Sequence, residues 1–224
     1  MKLLFLVFFL SMNIAYSKEN RVKIAIIDSG IDSETMKRPY MCENGNVVFD
    51  YEISYLYNTD HGSNIASVIG DNIDSTKFCI ISYQVFGGSN DTYASFLEKL
   101  TKAKKDLVKR NVKFVNLSIQ GDGNNYLEYA NIREMAHNGI VVSISAGNHK
   151  KNLDIKCDEF PACYKKIIKS NNVHIVGSYD ESYSNYGKII EYKEEGVWKG
   201  KRGTSQACAQ HTARIVNKYY DILK

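Results

Sequence analysis

The stretch VKIAIIDSGID, residues 22–32, decides how the rest of the chain is read. Its first six residues are almost all apolar, rich in β-branched types, and of strand length. They lack the polar alternation of a strand with one wet face, which marks a strand covered on both faces. Comparable runs recur at residues 79–86 (CIISYQVF), 112–119 (VKFVNLSI), 140–145 (IVVSIS) and 173–177 (VHIVG). Between the second and third, Tyr93, Phe96, Leu97, Leu100, Ala103 and Leu107 repeat at three- and four-residue steps with lysines opposite, an amphipathic helix. Residues 125–138 and 205–223 fit helices less cleanly. Buried strands alternating with helices predict an α/β fold: three layers, a mostly parallel twisted sheet, and helices on both faces.

The 224 residues suffice for one domain with a full core. No internal repeat, low-complexity tract or linker interrupts them. Residues 1–17, MKLLFLVFFLSMNIAYS, read as a secretory signal: a basic Lys2, an unbroken apolar run from Leu3 to Leu10, then small Ala15 and Ser17 before a cut. Ser11 and Asn13 break that run well short of the roughly 20 residues a spanning helix needs. The expectation is cleavage after Ser17, residence in the periplasm or outside the cell, and no membrane attachment afterwards. Residues 18–224 then form a single domain, expected to be a monomer.

Export permits disulfides among the five cysteines. Cys157 and Cys163 could close a small loop, and Cys42 with Cys79 is a second pairing, although sequence does not fix connectivity. Cys208 would be left as a small buried apolar residue. No paired Cys-x-x-Cys or Cys/His cluster suggests zinc, so no metal and no cofactor are expected. A net charge of +4, spread evenly, gives no reason to expect a nucleic-acid partner.

The polar residues that follow the apolar runs carry the functional reading. Asp28 ends the first strand, at the sheet edge where ligands gather in parallel α/β proteins. His61 stands just ahead of a short Ala/Ile/Val-patterned segment, Asn148 follows an Ala-Gly turn, and Ser205 opens the final helix. Each has an ordinary alternative: a turn aspartate, a surface or core histidine, a turn asparagine, and a serine that merely caps its helix. A nucleotide site is disfavoured, because no glycine-rich phosphate fingerprint follows the first strand.

Together, IAIIDSGID, HGSNIASVIG, ISAGN and GTSQACA resemble the aspartate, histidine, oxyanion-asparagine and serine motifs of the subtilisin-like serine proteases, the subtilases. The likeness runs from about residue 22 to about residue 216, in the family's order, which is also the triad order of subtilisin. NLSIQG and YSNYG are weaker matches to its substrate-pairing strand and to the segment after the asparagine.

The resemblance implies an endopeptidase acting on protein or peptide substrates, with Asp28, His61 and Ser205 as the triad and Asn148 as oxyanion donor. It implies an extended substrate between Ser118, Ile119, Gln120 and Gly121 on one side and Gly87 and Gly88 on the other. The chain departs from the family at Ser63 and Asn64 (usually Thr and His), at 206–209 (Gln-Ala-Cys-Ala for Met-Ala-Ser-Pro), and at Gln120, often glycine and part of the specificity pocket. No prodomain is recognisable before the first strand, so unaided folding or a separate inhibitor or folding chaperone is expected. The alternative function is a catalytically weak or inactive subtilase-like domain that binds peptides or a partner protein.

Overall fold

The computed structural model describes residues 20–49, 58–87 and 91–222. The expected signal segment and Gly88 lie outside them. Seven strands form one sheet: β1 (Val22–Asp28), β2 (Met41–Val48), β3 (Phe78–Gln84), β4 (Phe114–Leu117), β5 (Val141–Ser145), β6 (Val173–Ser178) and β7 (Tyr192–Glu194). Their order is β2-β3-β1-β4-β5-β6-β7, and every neighbouring pair is parallel. The helices are α1 (Ser33–Met36), α2 (Asp60–Gly70), α3 (Tyr93–Lys109), α4 (Tyr126–His137) and α5 (Thr204–Ile222). The three-layer α/β reading holds.

Strand periodicity sorts the core into two halves. Ile24 and Ile26 of β1 pack with Ile65, Val68 and Ile69 of α2 and with Ala209, Ala213 and Val216 of α5. Ala25 and Ile27 face the other way, toward Leu100, Ala103 and Leu107 of α3 and Ile132 and Met135 of α4. All of these side chains are 2 % exposed or less. Burial on both faces is why these strands carry continuous apolar runs.

β2 was not foreseen. Its sequence, MCENGNVV, includes Asn44 at φ 53° and Gly45, and its register against β3 shifts between Met41 and Asn46. The Cys42–Cys79 disulfide joins β2 to β3, and Cys157–Cys163 closes the second loop, which are the two pairings considered from sequence. Cys208 is free and buried. No helix among the described residues is long and apolar enough to cross a membrane.

Candidate active site

β1, β4 and β5 end side by side, and their carboxyl edges carry the polar groups. Asp28, the last residue of β1, is fully buried; its Oδ1 accepts from the Ser29 N–H at 2.7 Å and faces His61 Nδ1 at 2.7 Å. His61 sits inside the first turn of α2 rather than ahead of it. Two glycines make that approach possible. Gly30 has φ +84°, and a Cβ on Gly62 would stand 2.0 Å from the Gly30 carbonyl oxygen. The Ser29 and Ser63 hydroxyls stitch the junction, accepting from the Gly62 N–H at 3.2 Å and the Asp32 N–H at 2.9 Å.

A carboxylate can only accept, so Nδ1 of His61 carries the proton and Nε2 keeps a lone pair. Burial disfavours the charged imidazole, but the hydrogen bond and negative charge of Asp28 outweigh it, with a small opposing push from Lys201. The His61 pKa therefore lies above its ordinary value.

Asn148 is set by α5. Its Oδ1 accepts from the Thr204 N–H at 2.8 Å and the Thr204 hydroxyl at 3.0 Å, while that hydroxyl accepts from the Gly147 N–H at 3.1 Å. With Oδ1 committed, Nδ2 is the end left to donate. Asn148, not Ser205, thus supplies the side-chain cap of α5, and the serine is released from that duty. The turn before Asn148 needs Gly147, at φ +97°, because a Cβ there would lie 2.5 Å from Asn185 Nδ2. Asn185, within the YSNYG segment, holds the turn by donating to Ala146 O at 2.8 Å and accepting from the His149 and Lys151 N–H groups. Sequence reading matched that segment without giving Asn185 a role.

Ser205 lies in the first turn of α5, where the helix N-terminus adds positive potential. Its hydroxyl donates to the Ser118 carbonyl at 3.4 Å, and the Ser118 hydroxyl lies 3.1 Å from the Ser205 carbonyl. No hydrogen bond joins Ser205 to His61 in this conformation; both line one cleft of about 680 Å³ together with Asn148, Ser118, Ile119, Gln120 and Gly121. Burial pushes the nearby Cys208 thiol up to about 12, leaving it a packing residue.

The expected substrate edges divide. The Gly121 N–H and C=O are both bonded to Phe160, at 2.8 and 2.9 Å, so its backbone is already spent. The Gln120 backbone has no protein partner among the described residues. The Gln120 side chain folds over the asparagine: its Oε1 accepts from the Asn148 backbone N–H at 3.1 Å and lies 3.5 Å from Nδ2. Across the cleft, Gly87 has φ +112° and accepts from the Asn58 N–H at 3.3 Å, while its neighbour Phe86 lines the wall. Two departures from the subtilase pattern meet here, since Gln206 Nε2 donates to Asn64 Oδ1 at 2.8 Å.

A serine, a carboxylate-supported imidazole and an anchored amide donor around one cleft define the class of serine hydrolases. The family model described as the Subtilase family matches residues 19–222, and the chain belongs to that family of serine-type peptidases. Among solved structures it is similar to a lanthipeptide protease, with a TM-score of 0.66 and 21% identity over 91% of this chain and 75% of that one. It is similar, too, to a cold-adapted subtilisin-like serine proteinase, with a TM-score of 0.65 and 18% identity over 91% of this chain and 77% of that one. At these identities the likeness shows the shared fold. None of the curated proteins compared with the chain matches it.

Proposed function

We propose that the chain is an exported endopeptidase in which Ser205 attacks the peptide carbonyl. The Oγ–carbon bond forms as the Ser205 proton passes to His61 Nε2. The same proton then goes to the departing amine as the carbon–nitrogen bond breaks. Asp28 orients the imidazole and stabilises its charged form. The tetrahedral oxygen takes hydrogen bonds from Asn148 Nδ2 and the Ser205 N–H. Water, activated by His61, releases the acyl group from Ser205. The observation that carries this reading is the 2.7 Å Asp28–His61 contact beside an Asn148 whose oxygen is already committed to α5.

An extended peptide pairs with the unspent Gln120 backbone as an added strand. Export is supported by the signal-like residues 1–17 and by two disulfides, which persist in oxidising compartments. The alternative, a peptide-binding domain without turnover, has one observation in its favour: the Ser205 hydroxyl faces the Ser118 carbonyl.

A fluorophosphonate probe separates the two. Labelling of the purified chain that disappears in Ser205→Ala supports the peptidase. A folded protein that takes no label is a binder. N-terminal sequencing of the exported chain should begin at Lys18; a retained Met1 defeats the export reading.

A further inference from the structure

Besides the reacting groups, the cleft is lined by an aromatic lobe of Phe86, Tyr93, Phe96 and Phe160. In that apolar setting stands a carboxylate. Glu128, in the first turn of α4, is 3 % exposed and lines the cleft. Its Oε2 accepts from the Tyr93 hydroxyl at 3.0 Å and the Tyr164 hydroxyl at 2.9 Å. Its Oε1 has no partner among the described residues, and no lysine or arginine pairs with it. Tyr164 is held at Asn125, whose N–H donates to its oxygen at 2.8 Å. The Asn125 carbonyl at 3.0 Å is a second acceptor for its one proton, and the carboxylate, as the charged acceptor, is the stronger of the two.

A buried charge is costly unless a counter-charge or several donors meet it. Two tyrosines satisfy one oxygen and leave the other open. The lining adds Asp91, already paired with Lys99 at 2.8 Å, and exposed Asp122, and among the described residues it contains no Lys or Arg. Aromatic walls suit the methylene stem of a long side chain and attract a cation at its tip.

We propose that this lobe binds a lysine or arginine side chain of the substrate, with the free Glu128 oxygen as the acceptor. The inference rests on the peptidase reading for its meaning, since it gives that activity a preference for basic peptides. Glu128 contacts substrate without touching the reacting bond, so it is a specificity residue. Burial also raises the Glu128 pKa against the lowering effect of the two tyrosine donors, and an incoming cation relieves that strain on the charge.

The test has a binding arm and a turnover arm. Fluorescent peptides scanning lysine and its uncharged equivalent norleucine through each position are titrated onto the Ser205→Ala chain, then offered to the unmodified enzyme. At one position lysine should be preferred over norleucine by roughly 10- to 100-fold, as for a hydrogen bond to a charged group. Glu128→Gln, which keeps an acceptor for both tyrosines, should bring that ratio down toward one. Equal binding of lysine and norleucine at every position overturns the proposal, and that comparison needs no variant at Glu128. A ratio that Glu128→Gln leaves intact overturns it as well. Failure of the peptidase reading looks different: the lysine preference appears in binding, while no peptide is cut.

Discussion

Gln206 Nε2 donates to Asn64 Oδ1 across 2.8 Å, tying the first turn of the Ser205 helix to the helix that carries His61. Gln206 is 5 % exposed and Asn64 is half-buried, so this amide pair is a partly buried tie between the two helices. Both residues stand where subtilases usually carry other types, which makes the two departures one coupled exchange. Gln206→Leu should lower stability by about 1 kcal/mol and reduce turnover more than it changes KM, because it loosens His61 against Ser205. A double-mutant cycle with Asn64→Ala checks the coupling. Strictly additive effects would show that the tie does nothing.

His61 sets the pH response. Its folded pKa is raised by Asp28, and only the neutral imidazole can accept the Ser205 proton. The acid limb of kcat/KM should therefore lie above the ordinary histidine value of about 6.5. Stability runs the opposite way. A raised histidine pKa contributes stability that is fully present below the unfolded value and is lost as pH rises through the folded value. Thermal melts of the wild type and His61→Ala should converge at alkaline pH and separate in acid. Asp28→Asn should cut turnover by about 10⁴-fold, the loss known for the corresponding change in a trypsin-like triad, and should move the acid limb downward. An acid limb that ignores Asp28→Asn would remove histidine from the role of base.

Much of the fold is legible in the sequence, and the reason is physical. β1, β4 and β5 are buried on both faces, so their apolar runs announce them, and the turn residues at their ends are the ones the proposed mechanism uses. β2 and β7 were illegible for the complementary reason. The Asn-Gly centre of β2 breaks any alternation, and β7 is an edge strand reading Tyr-Lys-Glu. Glu128 was hidden more deeply. On a helix of mixed character a glutamate reads as part of the solvated face, and only the tertiary packing of Tyr93 and Tyr164 buries it. The cap of α5 could not be read either, since its donor–acceptor partner, Asn148, lies 56 residues earlier.

The proposed mechanism gives Asn148 a second job besides the cap, and the two separate by substitution. Its Oδ1 caps α5 and its Nδ2 faces the cleft. Asn148→Ala removes both, and should cost about 1 kcal/mol of stability as a lost cap. It should also lower kcat by about 10²–10³, the magnitude known for this donor in subtilisin. Asn148→Asp keeps an acceptor for Thr204 and replaces the donor with negative charge. It should melt near the wild type yet lose at least as much turnover as the alanine variant. If the aspartate variant stays active, the oxyanion role belongs elsewhere.

Gln120 provides the last case. Its Oε1 occupies the donor side of Asn148, accepting from the backbone N–H at 3.1 Å and lying 3.5 Å from Nδ2. A developing oxyanion must displace that carbonyl before it can be stabilised. Gln120→Gly removes the competitor and opens the floor between Ser118 and Gly121. Exchanging a neutral hydrogen bond of about 1 kcal/mol corresponds to a gain of a few-fold in kcat/KM. The variant should accept bulkier side chains next to the scissile bond as well. Gln120→Glu should act in the opposite direction, because a fixed negative charge beside Asn148 repels the oxygen that the site must hold. Steady-state kinetics on a peptide set graded by side-chain volume measure both effects. An unchanged profile in the glycine variant would mean that the glutamine swings aside at no cost when substrate binds.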